Sequence, residues 1–497
     1  MRLLGEILDP TSNCIEIPSA DASFTPLLFD LAPSGHHLLL ESHDPRIDRL
    51  ESMIDASQPV RFIRIDADGG GLSALSGLES VLRRDRPFLL IDRRPGTIDT
   101  PGTSPGEVYD LLDRCGLQLA TLRQWFAQGN LARLHRDEFV AGFEVGAERA
   151  VLAHPPHRLP EGASHAPPLA EGLVSVIVPT LNEEAAIDAC LRTIREQTHR
   201  RLEILVVDGR SHDATREIVA DHAAADERIR LIDNPDRVIP AALNRAIWSA
   251  SGEWLVRVDA HATIPADYVE RLVEHLATGR WGGVGGRKDG TSSEPMGRAI
   301  AVALGSPFGV GNSVYHHGTT VQVVDHLAYG AYPTEVARSV GGWNERLLAN
   351  EDYEFDHRVQ EAGHELLFDP AIKVRWVSQQ RLRGLGRQYR RYGRAKAQVM
   401  QIRPESTKVR HLVAPALVGW TTLAVLAGLR RPRLGTAMML PYALAVATAT
   451  ARSARSVPPG VALRTAPAFV TMHYAWGTGW WERMVLRRTA TGATARH

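Results

Sequence analysis

The sequence predicts an α/β protein with two folded units, followed by apolar helices near its C-terminal end. Two stretches of the chain alternate strand-like apolar runs with helix-like segments, a Pro-rich stretch separates them, and the last quarter contains long uncharged intervals. At 497 residues the chain is longer than the roughly 100–200 residues of a typical domain. More than one hydrophobic core is therefore expected.

The first predicted unit covers residues 1–150. Short apolar runs end in carboxylates at residues 62–66 (FIRID) and 87–92 (PFLLID), which is typical of strands in a smaller α/β domain. Residues 151–171 are rich in Pro, His, Gly and Ala and follow neither helical nor strand periodicity. This composition predicts a linker between two domains.

The second predicted unit covers residues 172–400. Strand-like runs at 174–179 (VSVIVP) and 202–208 (LEILVVD) flank a segment, 183–198, whose apolar residues recur at helical spacing. A strand, a helix and a second strand in this order predict a parallel sheet.

Residues 411–482 are predicted to be membrane-associated helices. Uncharged stretches cover residues 412–429 and 434–451, with a weaker one at 465–481. Each is near the lower limit of the ~17–25 residues that cross a bilayer, and buried soluble helices are the alternative. Arginines at 430, 431 and 433 would lie outside if the first stretch crossed from a cytoplasmic catalytic unit. That contradicts the positive-inside rule, so a re-entrant hairpin stays open.

The overall charge argues against nucleic acid as a partner. Lys plus Arg and Asp plus Glu both number 57, whereas nucleic-acid binders held by overall charge carry a basic surplus. The three cysteines have no zinc-site or disulfide spacing, which fits a reducing cytoplasm.

Polar residues follow the first two strands of the second unit, within SVIVPTLNEE and VVDGRSHDAT. Ligands of parallel sheets bind at the carboxyl ends of the strands, so these residues suit a nucleotide base and its ribose. Asn182 and Asp213 have a second interpretation, because either could simply cap a helix.

A third strand-like run ends in Asp259 and His261 (VRVDAHA). Residues two apart in extended structure face the same side, so both could approach a divalent cation that bridges a diphosphate. Such a cation would stabilise a departing nucleoside diphosphate as a Lewis acid.

Glu351 and Asp352 begin a helical stretch (NEDYEFDHRV). Clustered carboxylates raise at least one pKa, and a helix N-terminus lowers it again, which can prepare one of them to abstract a proton. Alternatively, these residues only balance the helix macrodipole.

A basic and aromatic stretch at 379–396 predicts either a cover over donor and acceptor or a helix at the lipid surface.

Together and in this order, these phrases resemble the family-2 glycosyltransferases with a GT-A (Rossmann-like) fold, and especially the membrane-bound succinoglycan-type glucosyltransferases. The resemblance covers roughly residues 172–394 and implies a donor site, a metal position and a pair of catalytic acids. It implies donor binding by Thr180, Asn182, Glu183, Asp208, Asp213, Gln388, Arg391 and Tyr392. Asp259 and His261 stand where the family has its DxD motif, which here reads Asp-Ala-His.

The same resemblance implies an inverting transfer in which Asp352, with Glu351 beside it, acts as the general base. A sugar from a nucleoside diphosphate donor, such as a UDP-hexose, would pass to a lipid-linked saccharide or polysaccharide precursor, assisted by Mn²⁺ or Mg²⁺. The expected location is the cell membrane, with the catalytic domain on the cytoplasmic side. Tyr392 replaces the Trp of the QxxRW motif of processive enzymes, which favours addition of a single sugar.

In the first unit, residues 6–41 resemble the start of a methyltransferase of the FkbM type that uses S-adenosylmethionine, and residues 62–92 resemble a later strand-helix-strand segment of that family. Residues 16–23 lack the glycines that follow the first strand in that family, and a cofactor usually needs glycine there for close backbone approach. The expectation is a degenerate, non-catalytic domain, although Asp66 and Asp68 follow a later strand. The rivals to a simple glycosyltransferase are an inactive nucleotide-sugar-binding scaffold and a bifunctional enzyme with a working methyltransferase domain.

Overall fold

The computed structural model describes residues 2–8, 10–17, 25–40, 59–66, 74–92, 104–122, 124–125, 132–145, 150–155 and 169–493. The chain divides into two compact units, Met1–Arg158 and Leu159–His497. Asp68 and residues 18–24, which the sequence places near a methyltransferase-like site, lie outside the described residues.

Unit 1 is a mixed six-stranded sheet. Its strands are β1 (Asn13–Ile17), β2 (His37–Leu39), β3 (Val60–Asp66), β4 (Phe88–Asp92), β5 (Gln118–Thr121) and β6 (Ala150–His154). The order is β2-β1-β3-β4-β6-β5, with β1 to β4 parallel and β6 antiparallel to both of its neighbours. Apolar side chains on both faces of β3 and β4 are buried, as expected of parallel strands covered by helices.

Within its described residues, unit 1 has the helices α1 (Arg2–Ile7), α2 (Thr25–Leu31), α3 (Ala74–Gly77), α4 (Glu79–Asp85), α5 (Pro105–Arg114) and α6 (Arg136–Val145). Helix α5 shows why the chain turns helical at this point. Ser104 and Glu107 form a reciprocal capping box, and Pro105 occupies the first helical position, where no amide donor is needed.

Unit 2 contains a nine-stranded mixed sheet. Its strands are β7 (Ala170–Thr180), β8 (Leu202–Asp208), β9 (Ile229–Asp233), β10 (Gly252–Arg257), β11 (Ala262–Thr263), β12 (Trp281–Thr291), β13 (Gln322–Val324), β14 (Ala331–Pro333) and β15 (Glu365–Val377). The order is β11-β15-β12-β14-β10-β7-β8-β9, and β13 also pairs with β15. Strands β10, β7, β8 and β9 are parallel, so their carboxyl ends meet at one edge.

Helices cover both faces of this sheet. They are α7 (Ile187–Arg195), α8 (Thr215–Ala225), α9 (Ile239–Ser249), α10 (Tyr268–Leu276), α11 (Pro295–Leu304), α12 (Pro307–Val310), α13 (Thr334–Ser339), α14 (Glu351–Glu361) and α15 (Leu382–Ile402). Alternate residues of β7 enter two separate cores: Val176 packs against Ile187 and its neighbours, whereas Ile177 packs against Leu243. This arrangement explains the continuous apolar run in the sequence of β7.

The chain ends in three apolar helices, α16 (Val413–Arg430), α17 (Pro432–Ser453) and α18 (Pro459–Ala493). Two helical segments, Val409–Arg430 and Pro432–Ser453, are long and apolar enough to cross a membrane, with mean hydropathies of 1.9 and 1.4. Only 11% of each is buried, and large apolar side chains such as Leu426 and Leu444 are more than half exposed. Exposed apolar helices of this length suit a lipid surface.

Helix α18 behaves differently, because its central part is buried. Phe469 and Met472 are fully covered and share a core with Ile300 of α11 and Leu385 of α15. A side chain added at Gly393 or Gly479 would meet the carbonyl oxygen of Trp476 or Arg390 at 2.0 or 2.1 Å. The backbones of α15 and α18 are therefore in direct contact at these two glycines.

The structure corrects several boundaries that the sequence suggests. Strand β6 continues to His154 and β7 starts at Ala170, so both enter the range predicted as a linker, 151–171. Helix α7 begins at Ile187, four residues after the predicted start, since residues 181–186 form a turn that leaves the edge of the sheet. The third apolar stretch, 465–481, lies inside α18.

Candidate active site

Thr180 and Asp208 are the last residues of β7 and β8 and are direct partners in the sheet. The Thr180 side chain is buried, and among the described residues its hydroxyl has no hydrogen-bond partner. Asp208 is fully buried and accepts hydrogen bonds from the Ser211 amide (2.9 Å) and from Arg216 (2.7 Å). An unsatisfied buried hydroxyl beside a fixed carboxylate is an arrangement that a polar ligand would complete.

Asn182 and Asp213 are engaged in local structure. Asn182 has a positive φ of 55°, and its side-chain oxygen accepts a hydrogen bond from the His212 amide at 2.9 Å. Asp213 accepts from the amide and the hydroxyl of Thr215, the first residue of α8. Burial acts to raise the pKa of Asp213, but these hydrogen bonds outweigh it and the pKa falls. Both side chains shape the loops at the edge of the sheet, and Asp213 stabilises the start of a helix.

Asp259 and His261 do not lie in extended structure, contrary to the expectation from sequence. Strand β10 ends at Arg257, and the Ala262 amide donates to the Asp259 carbonyl at 2.8 Å, which closes a turn. The two side chains consequently have different partners. His261 Nδ1 lies 3.2 Å from Glu183 Oε1, and this hydrogen bond raises the pKa of His261.

Arg257 connects two of the predicted functional segments. Its Nε donates to Asp259 Oδ1 at 2.8 Å, and its Nη1 lies 3.5 Å from Glu351 Oε1. All three side chains are largely buried. Burial, followed by the charge of Asp352, raises the pKa of Glu351, whereas Arg257 lowers the pKa of Asp259 against the effect of burial. The arginine therefore holds the end of β10 next to the first turn of α14.

Asp352 is the more accessible carboxylate of the pair, with its side chain 32% exposed. His326 Nε2 lies 3.9 Å from Asp352 Oδ2, and His326 Nδ1 lies 2.8 Å from the fully buried Asp356. Burial acts to lower the pKa of His326, but the two carboxylates outweigh it and raise the pKa. Tyr332 donates to the other oxygen of Asp356 at 2.6 Å, which fixes that carboxylate. An accessible carboxylate thus stands beside an anchored imidazole.

The predicted motif on α15 lies next to α14. Gln388 donates to the Tyr392 hydroxyl at 2.8 Å, and the guanidinium of Arg391 is 5.8 Å from the centre of the Tyr392 ring. Asn350, the residue before α14, donates to the Tyr392 carbonyl at 3.2 Å. Burial raises the pKa of Tyr392. The structure therefore brings this motif to the helix that carries Glu351 and Asp352.

Sequence reasoning missed four side chains that shape the site, namely Arg257, Lys288, His326 and Asp356. Lys288 extends from β12, and its ammonium lies 4.2 Å from the centre of the Trp376 ring and 4.6 Å from that of Tyr329. Burial lowers the pKa of Lys288 to about 8, while Asp259 and Asp352 act in the opposite direction. Two of the four carried a signal, because Arg257 stands two residues before Asp259 in the motif VRVDAHA and Asp356 lies four residues after Asp352 in NEDYEFDHRV.

The atoms around Asp259 are chemically suitable for a divalent cation. Oδ1 accepts from Arg257, but Oδ2 lies 3.5 Å from Arg257 Nη2, too far for a strong hydrogen bond, and can serve as a hard ligand. In the described part of the chain, three possible ligand atoms gather within 4.8 Å only at His357, Glu361 and Glu405. A cation at Asp259 would therefore depend on oxygen atoms of a bound ligand for most of its coordination.

Comparisons with known proteins identify the family of the chain. The model of glycosyl transferase family 2 matches residues 175–311. The succinoglycan biosynthesis protein ExoA of Rhizobium meliloti (strain 1021) is 30% identical over 324 residues, which span 62% of this chain and 94% of the relative.

A second relative is the dolichyl N-acetyl-α-D-glucosaminyl phosphate 3-β-D-2,3-diacetamido-2,3-dideoxy-β-D-glucuronosyltransferase of Methanococcus voltae. It is 27% identical over 233 residues, 45% of this chain and 72% of the relative. The structure of the mannosyltransferase PcManGT from Pyrobaculum calidifontis, in complex with GDP-Man and Mn²⁺, is similar at 22% identity and a TM-score of 0.41, covering 61% of this chain and 86% of that one. With one relative matched over nearly its whole length, the chain belongs to glycosyl transferase family 2.

Proposed function

We propose that this glycosyltransferase inverts the anomeric centre of a hexose as it moves the sugar from a nucleoside diphosphate, such as UDP, to a lipid-linked saccharide or polysaccharide precursor. The observation that carries the proposal is the bridge made by Arg257. It joins Asp259, on the strand edge that suits the donor, to Glu351, on the helix that presents Asp352. One cluster of side chains thus contains both the residues proposed for the donor and the carboxylate proposed as the general base.

On the donor side, Thr180 and Asp208 offer a hydroxyl and a carboxylate to the nucleoside. Glu183, Asn182 and Asp213 hold the loops around it. Lys288 and Arg391 supply positive charge for the diphosphate. Asp259, with His261 or Glu183, would hold Mn²⁺ or Mg²⁺, which as a Lewis acid would offset the charge that develops on the leaving diphosphate.

On the other side, Asp352 accepts the proton from the acceptor hydroxyl as this oxygen attacks the sugar from the face opposite to the diphosphate. The imidazole of His326, held by Asp356, positions the carboxylate and limits its movement. Glu351 is buried and bound to Arg257, so its role is to orient the cluster. Gln388 and Tyr392 cover the site from α15.

A donor screen tests this function directly. Full-length protein in detergent would be incubated with a panel of nucleotide sugars and a lipid-linked saccharide, and the product would be examined by NMR. We expect transfer from one donor, with the anomeric configuration of the product opposite to that of the donor. Retention of configuration would exclude Asp352 as a simple general base, and absence of binding by every donor would exclude a nucleotide-sugar enzyme.

We also propose that α16 and α17 cross the cell membrane as a hairpin, with the catalytic unit on the cytoplasmic side. Each candidate span has 22 residues, or roughly 33 Å of helix, which matches the ~30 Å hydrocarbon core. Membranes washed at high salt should retain the full-length protein, and detergent should release it, because salt screens charges but does not weaken apolar burial. Recovery of the protein in the salt wash would exclude integral attachment.

For unit 1 we propose a degenerate methyltransferase-like domain without a cofactor. The carboxylates at its strand ends are already paired: Arg64 lies 2.9 Å from Glu16 and 3.1 Å from Asp92. Arg64 and Glu16 are almost completely buried. Because the buried guanidinium of Arg64 already binds these carboxylates at the edge of the sheet, they are not free to bind a polar cofactor.

A further inference from the structure

A cavity of about 560 Å³ lies beside the proposed base, on the side of the apolar helices. Its wall includes His326 and Asn350, which flank Asp352 in space and in sequence. The lining also includes apolar side chains from α16 and α18, among them Val413, Leu417 and Met472. This volume falls within the roughly 300–1,000 Å³ of typical small-molecule sites.

The cavity also contains a buried lysine amine. The Lys396 side chain lines the cavity and is 4% exposed. Its nearest partner is the ring of Tyr353, whose centre is 2.9 Å away. Burial lowers the pKa of Lys396 to about 6, so the site stabilises the charged form poorly without an anion.

Arg410 adds a second positive group to the same wall. It forms an ion pair with Asp325, which also pairs with Lys408, so two cations share one carboxylate. With Lys396 and Arg410, the lining contains two strongly basic side chains and one carboxylate, that of Asp325. A ligand that combines an anionic group with an apolar chain fits this lining, because basic and aliphatic side chains both belong to it.

We propose that this cavity binds the phosphate or diphosphate of a lipid-linked acceptor, with Lys396 and Arg410 holding the phosphate oxygens and the α16–α18 wall holding the first part of the lipid chain. The inference rests on the proposed function, since it names the acceptor site of that reaction. A saccharide attached to this phosphate would lie next to His326 and Asn350, within reach of Asp352. The apolar helices would then both attach the protein to the membrane and form half of the acceptor site.

Binding of farnesyl diphosphate to the full-length protein in detergent micelles, measured by calorimetry, tests the assignment. Farnesol and inorganic diphosphate each represent one half of the ligand and should bind at least tenfold more weakly. Dioleoyl phosphatidylglycerol distinguishes the source of the lipid phosphate. If it binds as tightly as farnesyl diphosphate, the cavity holds a bulk phospholipid and the assignment is wrong.

Substitutions then locate the site. Lys396→Met should weaken farnesyl diphosphate binding roughly 10- to 100-fold, as expected for loss of one charge-assisted hydrogen bond to phosphate, and leave farnesol binding unchanged. Lys396→Arg should restore most of the affinity. Lys373→Met is the matched control, because Lys373 is an exposed lysine on β15 and its loss should change nothing.

The donor half of the reaction is measured separately, as nucleotide-sugar binding by each variant. Normal donor binding by Lys396→Met shows that the variant is folded. If no donor binds to the native protein, the proposed function fails, whereas tight and Lys396-dependent binding of farnesyl diphosphate would still support the cavity. Equal affinity of native protein and Lys396→Met for farnesyl diphosphate would overturn the acceptor site alone.

Discussion

The two units of this chain place carboxylates at the same position, the carboxyl edge of parallel strands, but use them differently. In unit 1, Arg64 pairs with both Glu16 and Asp92, carboxylates near the carboxyl ends of β1 and β4. In unit 2, Arg257 also pairs with two carboxylates, Asp259 and Glu351, yet among the described residues Asp352 has only the imidazole of His326, 3.9 Å away, as an ionic partner, and the hydroxyl of Thr180 has no hydrogen bond. An acidic strand end therefore indicates a site only where some polar atoms are left for a ligand.

Among the changes proposed at the two sheet edges, neutralising Asp352 should have the largest effect, a loss of sugar transfer. Asp352→Asn keeps the shape of the side chain but cannot accept a proton, so transfer should fall by ~10²–10⁴-fold while donor binding is retained. Turnover with a verified acceptor and calorimetry with the donor measure the two effects. Glu335→Gln, at an exposed carboxylate on α13, is the control. Near-normal turnover by Asp352→Asn would remove this residue from the mechanism.

Asp259→Ala should reduce donor affinity in the presence of Mn²⁺. Removing even an outer partner of a metal ligand typically costs roughly 10- to 100-fold in metal affinity, and loss of the ligand itself should cost at least as much. Calorimetry with Mn²⁺ and the cognate donor should therefore show little heat. Unchanged affinity would mean that the cation binds elsewhere or is not used.

In unit 1, neutralising a carboxylate at the sheet edge should change the stability of the protein. Glu16→Gln removes one of the two ion pairs that join Arg64 to Glu16 and Asp92, and should lower the free energy of unfolding by about 1–3 kcal/mol. The double variant Glu16→Leu with Arg64→Met removes both charges and should restore most of that loss. Chemical denaturation measures both. A Glu16→Gln protein as stable as the native one would show that the pair contributes nothing.

The smallest effect is expected from S-adenosylmethionine, which should not bind at all. The Arg64 pairs occupy the edge of the sheet, and the sequence after β1 has no glycine to allow close approach of a cofactor. Isothermal titration of this cofactor into the full-length protein should give only heat of dilution. Saturable binding in the micromolar range would instead support a bifunctional enzyme, in which the sheet edge of unit 1 is also a ligand site.

Local sequence patterns were sufficient for β3, β4, β7, β8 and β10 and for the residues near their carboxyl ends, whereas the remaining strands of the two sheets were not predicted. The run LEILVVD predicts β8 to the residue, since its apolar side chains are buried on both faces. The partners of these residues were harder to predict, because Arg257, Lys288 and His326 come from separate elements that only the fold brings together. The extended conformation expected around Asp259 and His261 is wrong for a local reason, because β10 ends at Arg257 and a turn follows; their role as metal ligands stays a prediction.

The glycine contacts between α15 and α18 have a mechanical consequence. Because Gly393 and Gly479 let the two backbones touch, the helix that carries Gln388 and Tyr392 is held directly against α18 of the apolar C-terminal bundle at these two positions. The depth at which the hairpin settles in the bilayer would then determine the height of the catalytic cluster above the lipid headgroups. A membrane of different thickness would raise or lower the reacting groups relative to the phosphate of an embedded acceptor. Bilayer thickness would thus select acceptors by the distance between their lipid and their terminal sugar.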